Sequence, residues 1–583
     1  MSFKEYYQGE LSALRQQAAR LCEQQPSLRA VLGEGARDVE VERLMQGATF
    51  LTARLRQKIE DEFPEITHGL IQRLWSNYLR PMPSMSILQF DPAPTRHIPR
   101  HCEVVSTAID GTPCQFRTVF ATDVLPLELH RLEHADTGNG AILTLGLRLS
   151  TQGHLGEIHL QTLRLHLAGA SSISHQLYLN LKQHLKVVRL TPLGKDGIPL
   201  SDDAGFAMEP GCVKSVGFDD DQALLDHAAS SQKGYRLLQE FFVFHEKFLF
   251  VDVTGLDAIK RLDADLLKQA HGFELRFELN HYPRQSQRPT LENIRLYCTP
   301  VINLFRHQAA PIELEAEPRD YPVLPDKTVA QTCDVFSVER VIGRKPARSG
   351  HRIYGPSVIT TQQDPDTALP LYSLSQQPSM MSGGMLTTIR LDADDLQHET
   401  LSIDLICTNG DLPQQLAVGD ISKCGPRLPG QLTFKNIRPA TAAYAPVLEG
   451  GQLWKLISNL SLNYLSLESV AALKEILRTY DLPALHDHQS QLTSDGLFSA
   501  LVKVSHQNID YLRLGVPVRG TRTLLEIHPE NSEREAQWFL FGCALQHFFA
   551  LYASTHSFNQ LHIKSSSGAH WSWTADPGQQ PTL

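Results

Sequence analysis

The chain has 583 residues, 42% of them hydrophobic and 20% charged, with a formal net charge of -10. That length suggests three or four cores rather than one, the negative balance repels phosphate backbones and speaks against nucleic acid, and the lack of any run of eighteen apolar residues speaks against direct membrane insertion. The nine cysteines are scattered, odd in number and without a C-x-x-C pair, which fits reduced thiols better than a disulfide framework or a zinc ribbon. The opening MSFKEYYQGELSALRQQ is amphipathic and charged where a signal peptide would be apolar, so a cytoplasmic location is expected.

A first helix is predicted from near Phe3, with Tyr7, Leu11, Leu14, Ala18 and Leu21 on one face; Pro26, Gly33 and Gly35 end it. Asp38 offers an N-cap to a second helix, whose first turn carries Glu40 and Glu42 where the macrodipole favours acid. Its apolar comb of Leu44, Ala48, Leu51, Leu55 and Ile59 runs into a charged turn and breaks at Pro64. A third comb through Ile66, Leu70, Leu74 and Tyr78 stops at Pro81-Met82-Pro83. Residues 1–84 are therefore read as a helical arm. Three such helices bury their stripes only partly against each other, so the arm is either a small self-contained bundle or one shared with a partner, and Trp75 and Tyr78 are the kind of side chain that anchors interfaces. The first ninety residues hold eleven Lys/Arg and eleven Asp/Glu. Such a neutral but densely charged surface suits a protein–protein rim better than a membrane-surface helix.

From Met85 the period changes to two. Residues 85–217 are read as an antiparallel β-rich domain, with alternating segments at Gln115 to Phe120, Ala141 to Leu149 and Leu163 to Leu167, one helix from Ile173 to Leu185, and a closing loop from Leu193 to Gly211. Residues 218–424 read as a mixed α/β domain. Asp219 to Asp221 open a helix, a second helix spans Gly234 to Phe244, and Phe248 to Val253 has the apolar run of a strand buried on both faces. Strands follow at Phe273 to Leu279, Pro311 to Leu314, Val335 to Val341 and Leu401 to Cys407, the last ended by Asn409-Gly410. The polar stretch between Gly343 and Met385 reads as a surface loop or mobile insertion. Residues 425–583 form a C-terminal α+β domain, with helices at Gln452 to Leu467 and Ser469 to Tyr480, strands at His506 to Leu514 and Thr521 to Ile527, and a helix from Ser532 to Ala553 that is apolar on more than one face and must be sandwiched. The fold class expected is α+β and multidomain.

Signatures of chemistry are missing: there is no G-x-S-x-G elbow, Walker loop, H-E-x-x-H helix or Rossmann fingerprint. His154, Glu157 and His159 sit at a turn and read as chance neighbours among 25 histidines. His486-Asp487-His488 reads as a solvated loop, because adjacent residues in an extended chain point to opposite sides. Glu60, Asp61, Glu62 and Glu65 lie beside Arg54, Arg56 and Lys58 and suit solvated or intersubunit ion pairs. No cofactor or metal site is assigned.

The segments YYQGELSALRQQAARLCEQQP, VERLMQGATFLTARLRQKIEDEFPEIT and LIQRLWSNYLRPMPSMSILQF resemble the TssF baseplate subunit of the bacterial type VI secretion system. The resemblance continues through Tyr235 to Leu256, CTPVINLF (Cys298 to Phe305), ICTNGDLP (Ile406 to Pro413) and Leu540 to Leu561, and so spans nearly the whole chain. It implies a non-enzymatic architectural role. Two TssF copies join one TssG subunit, TssE and the TssK adaptor complete a wedge, six wedges surround the VgrG hub, and the assembly docks on the inner-membrane complex. Such proteins are similar to wedge proteins of contractile-tail phage baseplates, where helices of two copies and the partner share a core bundle. On that resemblance, Leu51, Leu55, Ile59, Phe63, Leu70, Leu74, Trp75, Tyr78 and Leu79 become the candidate partner interface, and Pro81 and Pro83 a candidate hinge letting one sequence fill two unequal places. The competing readings are a soluble hydrolase-like enzyme without a recognised motif and a β-rich ligand-binding module.

Overall fold

The alternation read in residues 141–149 places Leu143, Leu145 and Leu147 on a buried face of strand Ala141–Leu149. That strand pairs antiparallel with Gly272–Leu279, setting Leu145 opposite Leu275. The computed structural model describes residues 75–578 apart from short stretches, the longest being 358–369, and before them residues 43, 47, 49–52, 54, 70 and 71. The first predicted helix lies outside the described residues. The chain divides into two compact units: Met1–Leu79 with Val447–Ser461, here the arm, and Arg80–Pro446 with Leu462–Leu583, here the body.

The body is mixed α+β, built on largely antiparallel sheets. A six-stranded sheet runs in the order Ile421–Cys424, Glu103–Ile109, Thr112–Thr118, Cys298–Ile302, Met85–Phe90, Phe434–Asn436, and so draws strands from residues 85–217, 218–424 and 425–583 alike. A five-stranded sheet contains Leu185–Leu193, Gly272–Leu279, Ala141–Leu149 and Leu127–Asp136, with the short strand Phe206–Met208 at its edge inside the expected loop. Phe250–Thr254, the expected doubly buried strand, lies between Val213–Val216 and Thr162–Leu167 in a four-stranded sheet, with Phe250, Val251 and Val253 fully buried.

The polar stretch after Gly343 is not simply a loop. Strands His351–Pro356, Leu371–Pro378 and Met385–Asp392 extend an eight-stranded sheet beyond Asp334–Arg344 and Thr400–Thr408. Their sequences look polar because one side chain in two carries the burial: Tyr354, Tyr372, Ile389 and Leu391 join the core made by Val341, Leu401, Ile403 and Leu405. Asp219 to Asp221 open only a 3-10 turn, Asp220–Gln222, in which Asp219 and Gln222 form a capping box. His486 to His488 join two short helices, Leu482–His486 and His488–Ser499, rather than forming a loop; the Asp487 side chain caps the second by accepting from Ser490 N–H. Ser469 precedes helix Val470–Thr479 as expected, but its side chain makes no capping bond.

In the C-terminal part, the hairpin Leu501–Arg513 and Val516–Ile527 is followed by helix Ser532–Ala550, which crosses over to Phe558–Ser565, paired parallel to Val516–Ile527. Asn531 caps this helix, its side chain accepting from Arg534 N–H at 2.8 Å. The expected sandwiching is observed. Trp538, Phe539, Leu540, Phe541, Leu545, Phe548 and Phe549 are all buried, because helices Ser171–Gln183 and Lys233–Phe244 and strand Phe558–Ser565 cover different sides of the helix. Phe541 meets Phe241 at 4.8 Å between ring centroids, and Phe539 stacks on Trp573 at 5.5 Å.

Close approach of two helices depends on Gly234. A Cβ there would lie 2.6 Å from the His547 carbonyl oxygen and 2.7 Å from Phe548 Cα. Gly→Ala in a helix otherwise stabilises by up to about 1 kcal/mol. Here the sign should reverse: Gly234→Ala is expected to lower the unfolding free energy by about 1–3 kcal/mol through overpacking. Urea unfolding of the full chain measures this, and a more stable alanine variant would contradict the packing described.

Candidate functional site

The arm presents the candidate interface in two classes. Leu51 is 64% exposed and Leu70 42% exposed, whereas Trp75, Tyr78 and Leu79 are already buried in the lone chain. The rings of Trp75 and Tyr78 pack at 5.4 Å, and burial pushes the Tyr78 hydroxyl up to about 12. Leu55, Ile59, Phe63 and Leu74 lie outside the described residues, as do Glu60 to Glu62 and Glu65. One element of the arm was not anticipated. Helix Gly450–Leu460, expected in the C-terminal domain, belongs to the arm unit; Leu453 and Leu456 are fully buried while Trp454 is 48% exposed. The signal was present in GGQLWKLISNL as an aromatic set off the leucine stripe. Which unit the helix joins is a long-range property that periodicity does not carry.

The Pro-Met-Pro segment belongs to the body. Met82 N–H donates to the Tyr444 carbonyl at 2.8 Å and Tyr444 N–H donates back at 2.9 Å. Pro81 is half-buried and Pro83 buried on either side of that bridge.

Several segments quoted for the family resemblance meet as joints. In CTPVINLF and ICTNGDLP, Asn409 N–H donates to Asn303 Oδ1 at 2.7 Å and Asn303 Nδ2 donates to Asn409 Oδ1 at 2.9 Å. Asn303 Nδ2 also reaches the Gln115 carbonyl, and Asn409 Oδ1 accepts from Gln115 N–H, so the two amides tie the six-stranded sheet to the end of strand Thr400–Thr408. Gly410, at φ +55°, allows the turn that brings Asn409 there. In the segment from Tyr235 to Leu256, Lys247 Nζ donates to Glu240 Oε2, Glu240 Oε1 accepts from Leu224 N–H at 2.8 Å, and Arg236 Nη2 donates to Asp220 at 2.8 Å. Burial lowers Lys247 to about 8 against the opposing pull of Glu240. Burial alone would raise Glu240, but Lys247, Arg236 and His227 outweigh it and hold the carboxyl below its ordinary value. The pair is enclosed, with the Lys247 side chain 0% and the Glu240 side chain 3% exposed, and holds the loop at Leu224 in place.

His154 Nε2 pairs with Glu157 at 3.3 Å while His159 Nδ1 lies 3.3 Å from Lys260 Nζ, so these residues do not converge on one point. Among the described residues no three His, Cys, Asp or Glu side chains are arranged to hold a metal ion, and the eight described cysteines are free thiols. An open groove of about 740 Å³ on the eight-stranded sheet is lined by Arg306, His307, Gln308, Asp326, Glu339, Arg340, Asp404 and Leu405. Its arginines are engaged in cross-strand pairs, Arg306 with Glu339 at 2.7 Å and Arg340 with Asp404 at 2.8 Å, the pattern of a solvated sheet face. No described helix is long and apolar enough to cross a membrane.

The sequence matches the family described as "Type VI secretion system, TssF" over residues 1–580. The chain belongs to that family. A relative from Pseudomonas aeruginosa, described as type VI secretion system component TssF1, is 29% identical, with 99% of each chain covered. The fold is similar to a chain in a cryo-electron microscopy structure of a TssK-TssF-TssG baseplate subcomplex, with TM-score 0.75, 26% identity, and 93% of this chain and 100% of that one covered. A chain of a type VI secretion baseplate complex shares the fold at TM-score 0.61 and 23% identity, with both chains fully covered. For a TssF-family chain, the architectural joints and the exposed arm surface are the features to weigh, ahead of any pocket.

The buried pair gives a direct test of how the body is held. Lys247→Met leaves Glu240 charged and buried and is expected to cost about 3–5 kcal/mol. Adding Glu240→Gln, which keeps the bond to Leu224 N–H, should recover much of that loss. Chemical unfolding of both single variants and the double variant measures the coupling, and purely additive losses would contradict the pairing.

Proposed function

We propose that this chain is a structural subunit of the type VI secretion baseplate wedge and acts by assembly rather than catalysis. Its arm joins a TssG subunit together with the arm of a second copy, and TssK and TssE complete the wedge around the VgrG hub. The wedge forms in the cytoplasm, docks at the inner-membrane complex, and transmits the conformational change that triggers sheath contraction. The two copies place their arms differently.

One observation carries this reading beyond family membership. Of the twelve large hydrophobic side chains exposed among the described residues, four, Phe50, Leu51, Leu70 and Trp454, lie in the arm, few of whose residues are described. Apolar surface concentrated in this way on a helical unit marks an association site. The similar fold solved by cryo-electron microscopy belongs to a TssK-TssF-TssG subcomplex, which supports the choice of partners.

Leu51→Asp and Trp454→Asp each place a charge on exposed apolar surface. Both variants are expected to retain the far-ultraviolet circular dichroism and unfolding midpoint of the lone chain, and to lose most co-purification with the TssG-family protein of the same organism. Trp75→Asp, at a side chain buried in the lone chain, should instead destabilise the arm itself by several kcal/mol, of order 3. Unchanged co-purification of both surface variants would refute the arm as the interface.

A further inference from the structure

We infer that His562 and His570 form a two-histidine site for a divalent transition-metal ion, with zinc the best fit, on the outer face of the C-terminal sheet. Both residues belong to the body, and the inference does not depend on the wedge reading above.

The fold sets the two rings side by side. Strand Phe558–Ser565 turns back into His570–Ser572, which places His562 opposite Ser572 and Lys564 opposite His570. Side chains alternate across a strand, and the inward set is fixed: Leu561, Ile563 and Trp571 are buried, and Trp571 meets Phe539 of helix Ser532–Ala550 edge-on at 5.4 Å. His562 and His570 therefore share the opposite face as a diagonal cross-strand pair, within reach of side chains of imidazole length. The turn between them is held by Ser565 N–H, which donates to the Ala569 carbonyl at 2.8 Å, and by Gly568 N–H, which donates to the Ser565 carbonyl at 3.1 Å, with Gly568 at φ +94°. Ser567 Oγ also donates to Glu535 on the helix. The core thus fixes the register of the two histidines before any ion arrives.

His562 Nδ1 lies 3.4 Å from His570 Nε2. That exceeds the span of about 2.7–3.2 Å of a good hydrogen bond, and the rings, inclined by 51° with centroids 5.3 Å apart, are not stacked. It is instead the spacing a metal requires: two imidazole nitrogens about 2.0–2.1 Å from one tetrahedral zinc ion lie about 3.3–3.4 Å from each other. His562 Nε2 is buried without a hydrogen-bond partner, so Nδ1 is the nitrogen of that ring left to a ligand. Burial first, and then the Arg522 and His570 charges, lower the pKa of His562, which favours the neutral ring a metal needs. Arg522 and Lys564 also repel a cation, and among the described residues no third His, Cys, Asp or Glu completes the set. The site therefore supplies two imidazoles and leaves the remaining positions to water. Hard, oxygen-seeking Mg²⁺ or Ca²⁺ finds no carboxylate there to hold it.

Equilibrium dialysis of the untagged full chain against Zn²⁺ alone tests the site, with bound metal measured for the parent, His570→Ala, His562→Gln and, as a control, His556→Ala. His570 and His556 are exposed, so their alanine variants should keep the circular dichroism of the parent. The parent and His556→Ala should bind one more zinc equivalent than His570→Ala or His562→Gln, or bind that equivalent at least about tenfold more tightly. Excess Mg²⁺ should displace none of it. Equal zinc stoichiometry and affinity in the parent and His570→Ala would overturn the inference, as would the same loss in His556→Ala or displacement by Mg²⁺. If His562→Gln fails to fold, the comparison of the parent with His570→Ala and His556→Ala decides by itself.

Discussion

The body depends on a helix that has no wet side. Ser532–Ala550 carries large aromatic side chains around its circumference, and leaving any one face in water would forgo roughly 25 cal/mol for each Å² of apolar surface exposed. Three different elements must therefore close around it: helices Lys233–Phe244 and Ser171–Gln183, and the strand Phe558–Ser565 to which the chain returns after the helix. These elements come from positions hundreds of residues apart, so the helix binds early and late segments into one core. Gly234 and Gly542 mark where the fit is closest, the first against the backbone of the helix itself and the second where a Cβ would meet the Trp573 ring at 2.5 Å.

Polar joints supply what that apolar core cannot, a unique alignment of the parts. The reciprocal amides of Asn303 and Asn409 satisfy each other only in one relative position of the strands that carry them. The buried Glu240–Lys247 pair similarly fixes the turn after helix Lys233–Phe244 against the backbone at Leu224. Burying two charges is costly, and such pairs specify geometry more reliably than they add stability. For a subunit of the TssF family, a body with one fixed shape and an arm with exposed apolar surface is a consistent division of labour.

How much of this was legible depended on distance along the chain. Strands such as Ala141–Leu149 and Gly272–Leu279, and helices Lys233–Phe244 and Ser532–Ala550, follow from local periodicity because their burial is one-sided or complete over many residues. Leu371–Pro378 was missed because Tyr372 and Leu374 are embedded among serines and glutamines, and a polar outer face outweighs a sparse inner one in any sequence window. The Asn303–Asn409 joint could have been suspected only from Asn409-Gly410 at a strand end, and its partner lies 106 residues away. In the candidate interface, the combs locate Leu51 and Leu70 on helices, but exposure separates them from Trp75 and Tyr78. Trp454 joins the arm through a segment that periodicity assigned elsewhere.

The central claim is that the arm's exposed apolar surface is made to be covered by a different protein. Native mass measurement after co-expression with the TssG-family protein of the same organism tests it most directly. The account predicts a discrete complex containing both proteins, with the chain expressed alone heterogeneous or prone to self-association. A monodisperse lone chain that shows no mass shift in the presence of that partner would contradict it.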